Sequence, residues 1–144
     1  MAAERRADVV WEGSLMEGSG TITKTGSGAL PELPVTWAAR AESSDGRTSP
    51  EELIAAAHAA CFAMALSHAL AQAGNPPERL ETSATVTFVP GTGITKAALT
   101  VIGRVPGIDE SAFREAAEGA KEDCPVSGAL KGNVELELDA QLAA

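Results

Sequence analysis

A long apolar segment in the middle of the chain restricts the possible folds more than any other feature. It begins in "SPEELIAAAHAACF", where Ser49 is a suitable N-cap, Pro50 suits the first helical position and Glu52 can close a capping box. Gly74, followed by Asn-Pro-Pro, is a strong stop signal. The sequence therefore predicts a helix over Pro50–Ala73, about 36 Å long. Because it is apolar on all sides, this helix needs a covering layer.

The composition is that of an acidic chain of ordinary domain size. The 144 residues fit a single domain, residues 1–144, that folds without disulfides. A formal net charge of −9 argues against a nucleic-acid partner, which requires a clustered basic face. The run Ile54–Ala71 is long enough to suggest a membrane span, but two histidines and a serine interrupt it. With no apolar signal core at the N-terminus, we expect a cytoplasmic protein with no membrane partner.

Short segments of alternating polarity surround the predicted helix. Strands are predicted over residues 8–12, 21–25, 33–41, 82–89, 94–105 and 133–142. A second helix is predicted over Asp109–Asp123, and a short helical piece from Cys124 to about Lys131. This order of strands, helix, hairpin, helices and strand predicts an α+β fold with largely antiparallel sheets.

The two cysteines are the candidate nucleophiles of the chain. Cys61 lies in the middle of the long helix, where burial raises the pKa of a thiol and the helix dipole gives little help. Cys124 stands before Pro125 at the start of a helical turn, which lowers the pKa, although two neighbouring carboxylates oppose this. Local chemistry thus slightly favours Cys124 as the reactive thiol and leaves open a pair of inert core thiols.

The two histidines indicate no specific site. His58 is three residues before Cys61, and His68 lies on nearly the same side of the helix two turns further on. A histidine on a buried helix is usually packed and hydrogen-bonded. The cysteines and histidines together could supply four zinc ligands, but no Cys-x-x-Cys or close histidine pair is present. A metal-binding protein is therefore a weaker alternative, and we expect no metal.

The two glutamates at the helix start differ in their positions. Glu52 can serve as a capping residue, whereas Glu51 has no such role and is the better candidate for chemistry. Glu51 and Cys61 are ten residues apart, which is about 15 Å along one straight helix. If both serve one site, either the regular helix starts well after Glu51, or Glu51 comes from a second subunit. An antiparallel pair of these helices would meet the second condition, so we predict a homodimer.

Four segments together extend over nearly the whole chain: "VVWEGSLMEGSGTIT", "SPEELIAAAHAACFAMALSHAL", "ITKAALTVIGRVPGID" and "KEDCPVSGALKGNVELEL". All four resemble segments of the OsmC/Ohr family. The resemblance implies an intertwined α+β homodimer in which sheets enclose two long central helices and the active sites lie at the subunit interface. It also implies a cofactor-free, thiol-dependent peroxidase that reduces organic hydroperoxides, and hydrogen peroxide less well. Lipoyl groups on proteins are the dithiol reductants that it implies.

The resemblance also assigns roles to the site residues. It implies that Cys61 is the peroxidatic cysteine, that Cys124 is the resolving cysteine, and that the two form a disulfide. In the OsmC branch an arginine ends the third strand, and the segment "TWAARAE" matches it at Arg40, with Arg47 as second choice. The resemblance implies that this arginine stabilises the thiolate and that Glu51 orients the guanidinium. A guanidinium would supply the cation that buried Cys61 lacks, so the resemblance overrules the local preference for Cys124.

An apolar wall beside the peroxidatic cysteine suits the organic part of a hydroperoxide. Phe62 and Met64 are the residues expected to bind it. The non-enzymatic alternative is an OsmC-like module that binds a small apolar ligand and leaves its thiols idle.

Overall fold

The computed structural model describes residues 2–143, which form two compact units. The first unit ends at Leu53 and the second begins at Ile54. Over the described residues the elements run in the order β1 Ala7–Glu12, β2 Ser19–Thr25, β3 Leu33–Val35, α1 Trp37–Ala41, α2 Pro50–Gln72, β4 Arg79–Val89, β5 Gly93–Arg104, α3 Glu110–Asp123, α4 Pro125–Leu130 and β6 Glu135–Leu142. The predicted α+β class is confirmed.

The first unit contains an antiparallel sheet in the order β1-β2-β3. Gly20 on β2 pairs with Trp11 on β1. A Cβ atom at Gly20 would lie 2.6 Å from Cε3 of the Trp11 ring, so any larger residue there would displace the indole. The position requires glycine because the aromatic ring lies directly over the neighbouring backbone.

The predicted third strand, residues 33–41, is wrong beyond Val35. The chain turns instead into the short helix α1, and Arg40 belongs to its last turn. Thr36 is the N-cap, and its hydroxyl accepts a hydrogen bond of 3.1 Å from the amide of Ala39. The Thr36 cap and the Ala-Ala-Arg-Ala sequence after Trp37 favour a helix, and this local preference outweighs the apolar pattern.

The prediction of one long helix is confirmed, with its end at Gln72 instead of Ala73. The Ser49 hydroxyl accepts a hydrogen bond from the amide of Glu52, while the Glu52 carboxylate accepts one from the Thr48 hydroxyl. At the other end, Gly74 adopts a positive φ of 89°, which few side chains tolerate. Within the described chain, α2 is the one helix long and apolar enough to cross a membrane, a test that core helices of soluble proteins also pass. Only 22% of its apolar window is buried.

The second unit contains a mixed sheet in the order β4-β5-β6. β4 and β5 form the predicted antiparallel hairpin, but β5 and β6 are parallel. The expectation of largely antiparallel sheets is therefore corrected for β6, because α3 and α4 carry the chain back across the sheet before β6 begins. The core of this unit combines side chains from α2, β5, α3 and β6 with two residues outside these elements, namely Phe62, Leu66, Leu70, Leu99, Val101, Val105, Phe113, Ala117, Ala120, Cys124 and Ala140.

Candidate functional site

A forked ion pair joins Arg40 of α1 to Glu51 in the first turn of α2. The Arg40 Nε lies 3.0 Å from Oε1 and 3.1 Å from Oε2 of Glu51, and Nη2 lies 2.9 Å from Oε2. Glu51 is only 6% exposed. Such a bidentate contact holds the planar guanidinium in one orientation. Arg47 instead approaches Asp45, at 3.6 Å and on the surface, so Arg40 is the arginine that the Glu51 carboxylate binds.

The two cysteines are brought together in the second unit. Cys61 lies half-buried on α2, whereas Cys124, the N-cap residue of α4, is 1% exposed and belongs to the core. Their thiols lie close enough for each to shift the pKa of the other. The fold thus brings together two residues that are 63 positions apart in the sequence.

The surroundings of the two thiols shift their pKa values in opposite directions. Burial raises the pKa of Cys61, and its hydrogen bond to Cys124 raises it further, with the backbone amide of Val126 opposing. Burial also raises the pKa of Cys124, but hydrogen bonds from Cys61, from the Ser127 hydroxyl and amide and from the Val126 amide outweigh it and lower the pKa below its usual value. Within one chain the hydrogen bonds at the start of α4 thus favour the Cys124 thiolate.

A histidine and a serine form a buried pair beside the cysteines. His58 is fully buried, and its Nε2 lies 2.8 Å from the Oγ atom of Ser127, which is 2% exposed. The Nδ1 atom of His58 is buried without a hydrogen-bond partner among residues 2–143. Burial lowers the pKa of His58, so its imidazole is neutral near pH 7. The expectation of a packed, hydrogen-bonded histidine is confirmed for Nε2.

The two comparisons that decide the family cover most of the chain. A family model described as OsmC-like protein matches residues 43–139. Peroxiredoxin OsmC of Escherichia coli strain K12 is 45% identical over 145 residues, and the alignment covers 99% of each chain. The chain belongs to the OsmC family. The resemblance inferred from the sequence is thereby confirmed.

Other members of the OsmC/Ohr group share the fold. The organic hydroperoxide resistance protein OhrB of Bacillus subtilis strain 168 is 33% identical over 93 residues, which is 64% of this chain and 68% of OhrB. The crystal structure of B. subtilis OhrB has a TM-score of 0.68 at 27% identity and covers 94% of this chain and 98% of its own. An organic hydroperoxide resistance protein OsmC from Legionella pneumophila has a TM-score of 0.67 at 25% identity, with coverage of 94% and 96%.

The expected substrate-binding residues of this OsmC-family chain lie in different environments. Phe62 is fully buried in the core, whereas Met64 is 72% exposed on α2. Met64 and His68 line an open groove of about 580 Å³. Among residues 2–143 no group of three or more metal-ligating side chains is arranged to hold a metal ion.

Sequence reasoning missed Ser127. The signal was present, because Ser127 follows Cys124 by three residues, the spacing at which side chains of one helical turn meet. Its partner, His58, is 69 residues away in the sequence, and no local pattern connects the two residues.

Proposed function

We propose that this protein is a cysteine-based peroxidase that reduces organic hydroperoxides to alcohols, and hydrogen peroxide less well. Identity of 45% to a peroxiredoxin over 99% of both chains supports the peroxidase class. Relatives named for organic hydroperoxide resistance support the substrate class. The observation in this chain that carries the proposal is the proximity of the Cys61 and Cys124 thiols, each of which shifts the pKa of the other.

The exposure of the two thiols supports different roles for them. Cys61 is half-buried, so a hydroperoxide can reach its sulfur, whereas Cys124 is 1% exposed. The Cys61 thiolate attacks the terminal peroxide oxygen, an S–O bond forms while the O–O bond breaks, and the alkoxide takes a proton to leave as the alcohol. Cys124 then attacks the Cys61 sulfenic acid, so that an S–S bond forms and water departs. An external dithiol, for which lipoyl groups are our candidate, is oxidised as it reduces the disulfide.

The raised pKa of Cys61 creates a need for a nearby cation. We propose that Arg40, held by Glu51, meets this need and stabilises the Cys61 thiolate. The regular helix begins at Pro50, which supports the alternative that Arg40 and Glu51 act on Cys61 of a second subunit.

The sparse burial of α2 supports a homodimer. Only 22% of the apolar window of α2 is buried, and a second copy of the same helix would cover a matching apolar surface. Sedimentation analysis should therefore detect a dimer at micromolar concentration, and a stable monomer would contradict this part of the proposal. We further propose that residues 1–144 act as one functional domain and that the protein works in the cytoplasm.

The environment of Met64 suits contact with the substrate. Met64 follows Cys61 by three residues on α2, the spacing of neighbours on one helix face, and its thioether is flexible and apolar. Phe62 is buried, so we propose that it supports the wall behind Cys61 and contributes no exposed contact. Together they would favour an organic hydroperoxide over hydrogen peroxide.

The decisive experiment measures consumption of cumene hydroperoxide with dihydrolipoamide as reductant. We expect Cys61→Ser to abolish turnover. Cys124→Ser should still reduce one equivalent of peroxide and accumulate a sulfenic acid that dimedone traps. Ser111→Ala, an exposed position on α3, is the control and should retain full turnover. Full activity in Cys61→Ser would refute the mechanism.

A further inference from the structure

The mechanism above leaves the buried pair of His58 and Ser127 without a role. Both side chains are at most 2% exposed, and a 2.8 Å hydrogen bond connects His58 Nε2 to Ser127 Oγ. His58 lies one turn before Cys61 on α2, and Ser127 lies three residues after Cys124 in α4. The pair thus connects the two helical segments whose cysteines must approach each other.

The hydrogen bonds around Ser127 indicate which atom of the His58–Ser127 pair donates and which accepts. The Ser127 hydroxyl carries one proton, and it can donate that proton to the sulfur of Cys124. Its oxygen then accepts a hydrogen bond from Nε2–H of His58. This requires the neutral tautomer of His58 in which Nδ1 carries no proton. That Nδ1 is the atom that lacks a hydrogen-bond partner among the described residues. A buried polar atom left unpaired is costly, so the arrangement needs an explanation other than packing.

We infer that His58 is a positioning residue for Cys124, because its Nε2–H turns the Ser127 hydroxyl toward the Cys124 sulfur and so stabilises the thiolate of the resolving step. This inference rests on the proposed peroxidase function. The stabilised thiolate attacks the Cys61 sulfenic acid, the S–S bond forms as the S–O bond breaks, and the departing hydroxide takes up the proton that Cys124 released. Thiol and sulfenic acid thus yield one disulfide and one water.

The test titrates the Cys124 thiol by its thiolate absorbance at about 240 nm in a Cys61→Ser background, where Cys124 is the sole thiol. Loss of a hydrogen bond to a charged group should raise the titration midpoint by about one pH unit. We expect this shift for Ser127→Ala and for His58→Leu. His58→Gln keeps an N–H donor within reach of Ser127 and should restore most of the original midpoint. Ser111→Ala, exposed on α3, should leave it unchanged.

Ser127→Ala decides the outcome even if His58→Leu fails to fold, because it removes one buried oxygen and keeps the size of the side chain. With Cys61 present, the sulfenic acid formed by one equivalent of hydroperoxide should persist severalfold longer at pH 7 in Ser127→Ala, because a smaller fraction of Cys124 is then thiolate. An unchanged midpoint in Ser127→Ala would overturn the inference. A shifted midpoint in a protein that consumes no hydroperoxide would uphold the hydrogen-bond inference and reject the proposed function.

Discussion

Replacing Arg40 with alanine should lower the free energy of unfolding by about 3 kcal/mol. Glu51 accepts three hydrogen-bond contacts from Arg40 and is 6% exposed, so the substitution leaves a buried carboxylate without this cation. Removal of one partner from a buried pair costs about 3–5 kcal/mol. We take the lower end because the Arg40 side chain itself is 33% exposed. The double variant Arg40→Ala/Glu51→Ala should be more stable than Arg40→Ala, since no unpaired charge remains.

The assay is urea unfolding at one fixed protomer concentration, because a dimer is stabilised by mass action. Tryptophan fluorescence follows unfolding near the ion pair, since Trp37 is the first residue of α1, the helix that carries Arg40. The matched control is Arg79→Ala, whose ion pair with Glu81 is exposed, with side chains 61% and 54% accessible. An exposed pair contributes less than about 1 kcal/mol. Equal losses in Arg40→Ala and Arg79→Ala would refute the reasoning from burial.

Two further predictions concern the second unit. Burial lowers the pKa of His58 below 6.5, so the imidazole binds a proton more readily in the unfolded chain, and the free energy of unfolding should fall as the pH drops below about 6.5. Urea unfolding at several pH values should show a shallower fall for His58→Gln, and the same pH dependence in both proteins would contradict this. Gly103→Ala should destabilise the protein by about 1–3 kcal/mol, because its Cβ would lie 2.5 Å from the Phe113 ring. Gly119→Ala, with open space in α3, should stabilise by up to about 1 kcal/mol, and thermal unfolding that ranks the two alanine variants in reverse would reject this argument.

Elements with strong local signals could be predicted from the sequence. The Ser49 cap and the Gly74 stop define α2 to within one residue at its C-terminal end, and alternation predicts the β4–β5 hairpin. The distinction between Glu51 and Glu52 also came from local rules, since a capped helix start gives each position a different environment. Capping, periodicity and turn chemistry act over a few residues, and so the sequence alone contains them.

Long-range packing decided the rest. The sequence predicted a strand through Arg40, but a threonine cap redirects the chain into α1 and aims the guanidinium at Glu51. Only the folded chain joins Cys61 to Cys124, and His58 to Ser127, across more than 60 residues. Which apolar side chains are buried and which are exposed, and which polar groups meet, depends on how distant segments pack, and a linear pattern carries no record of that packing.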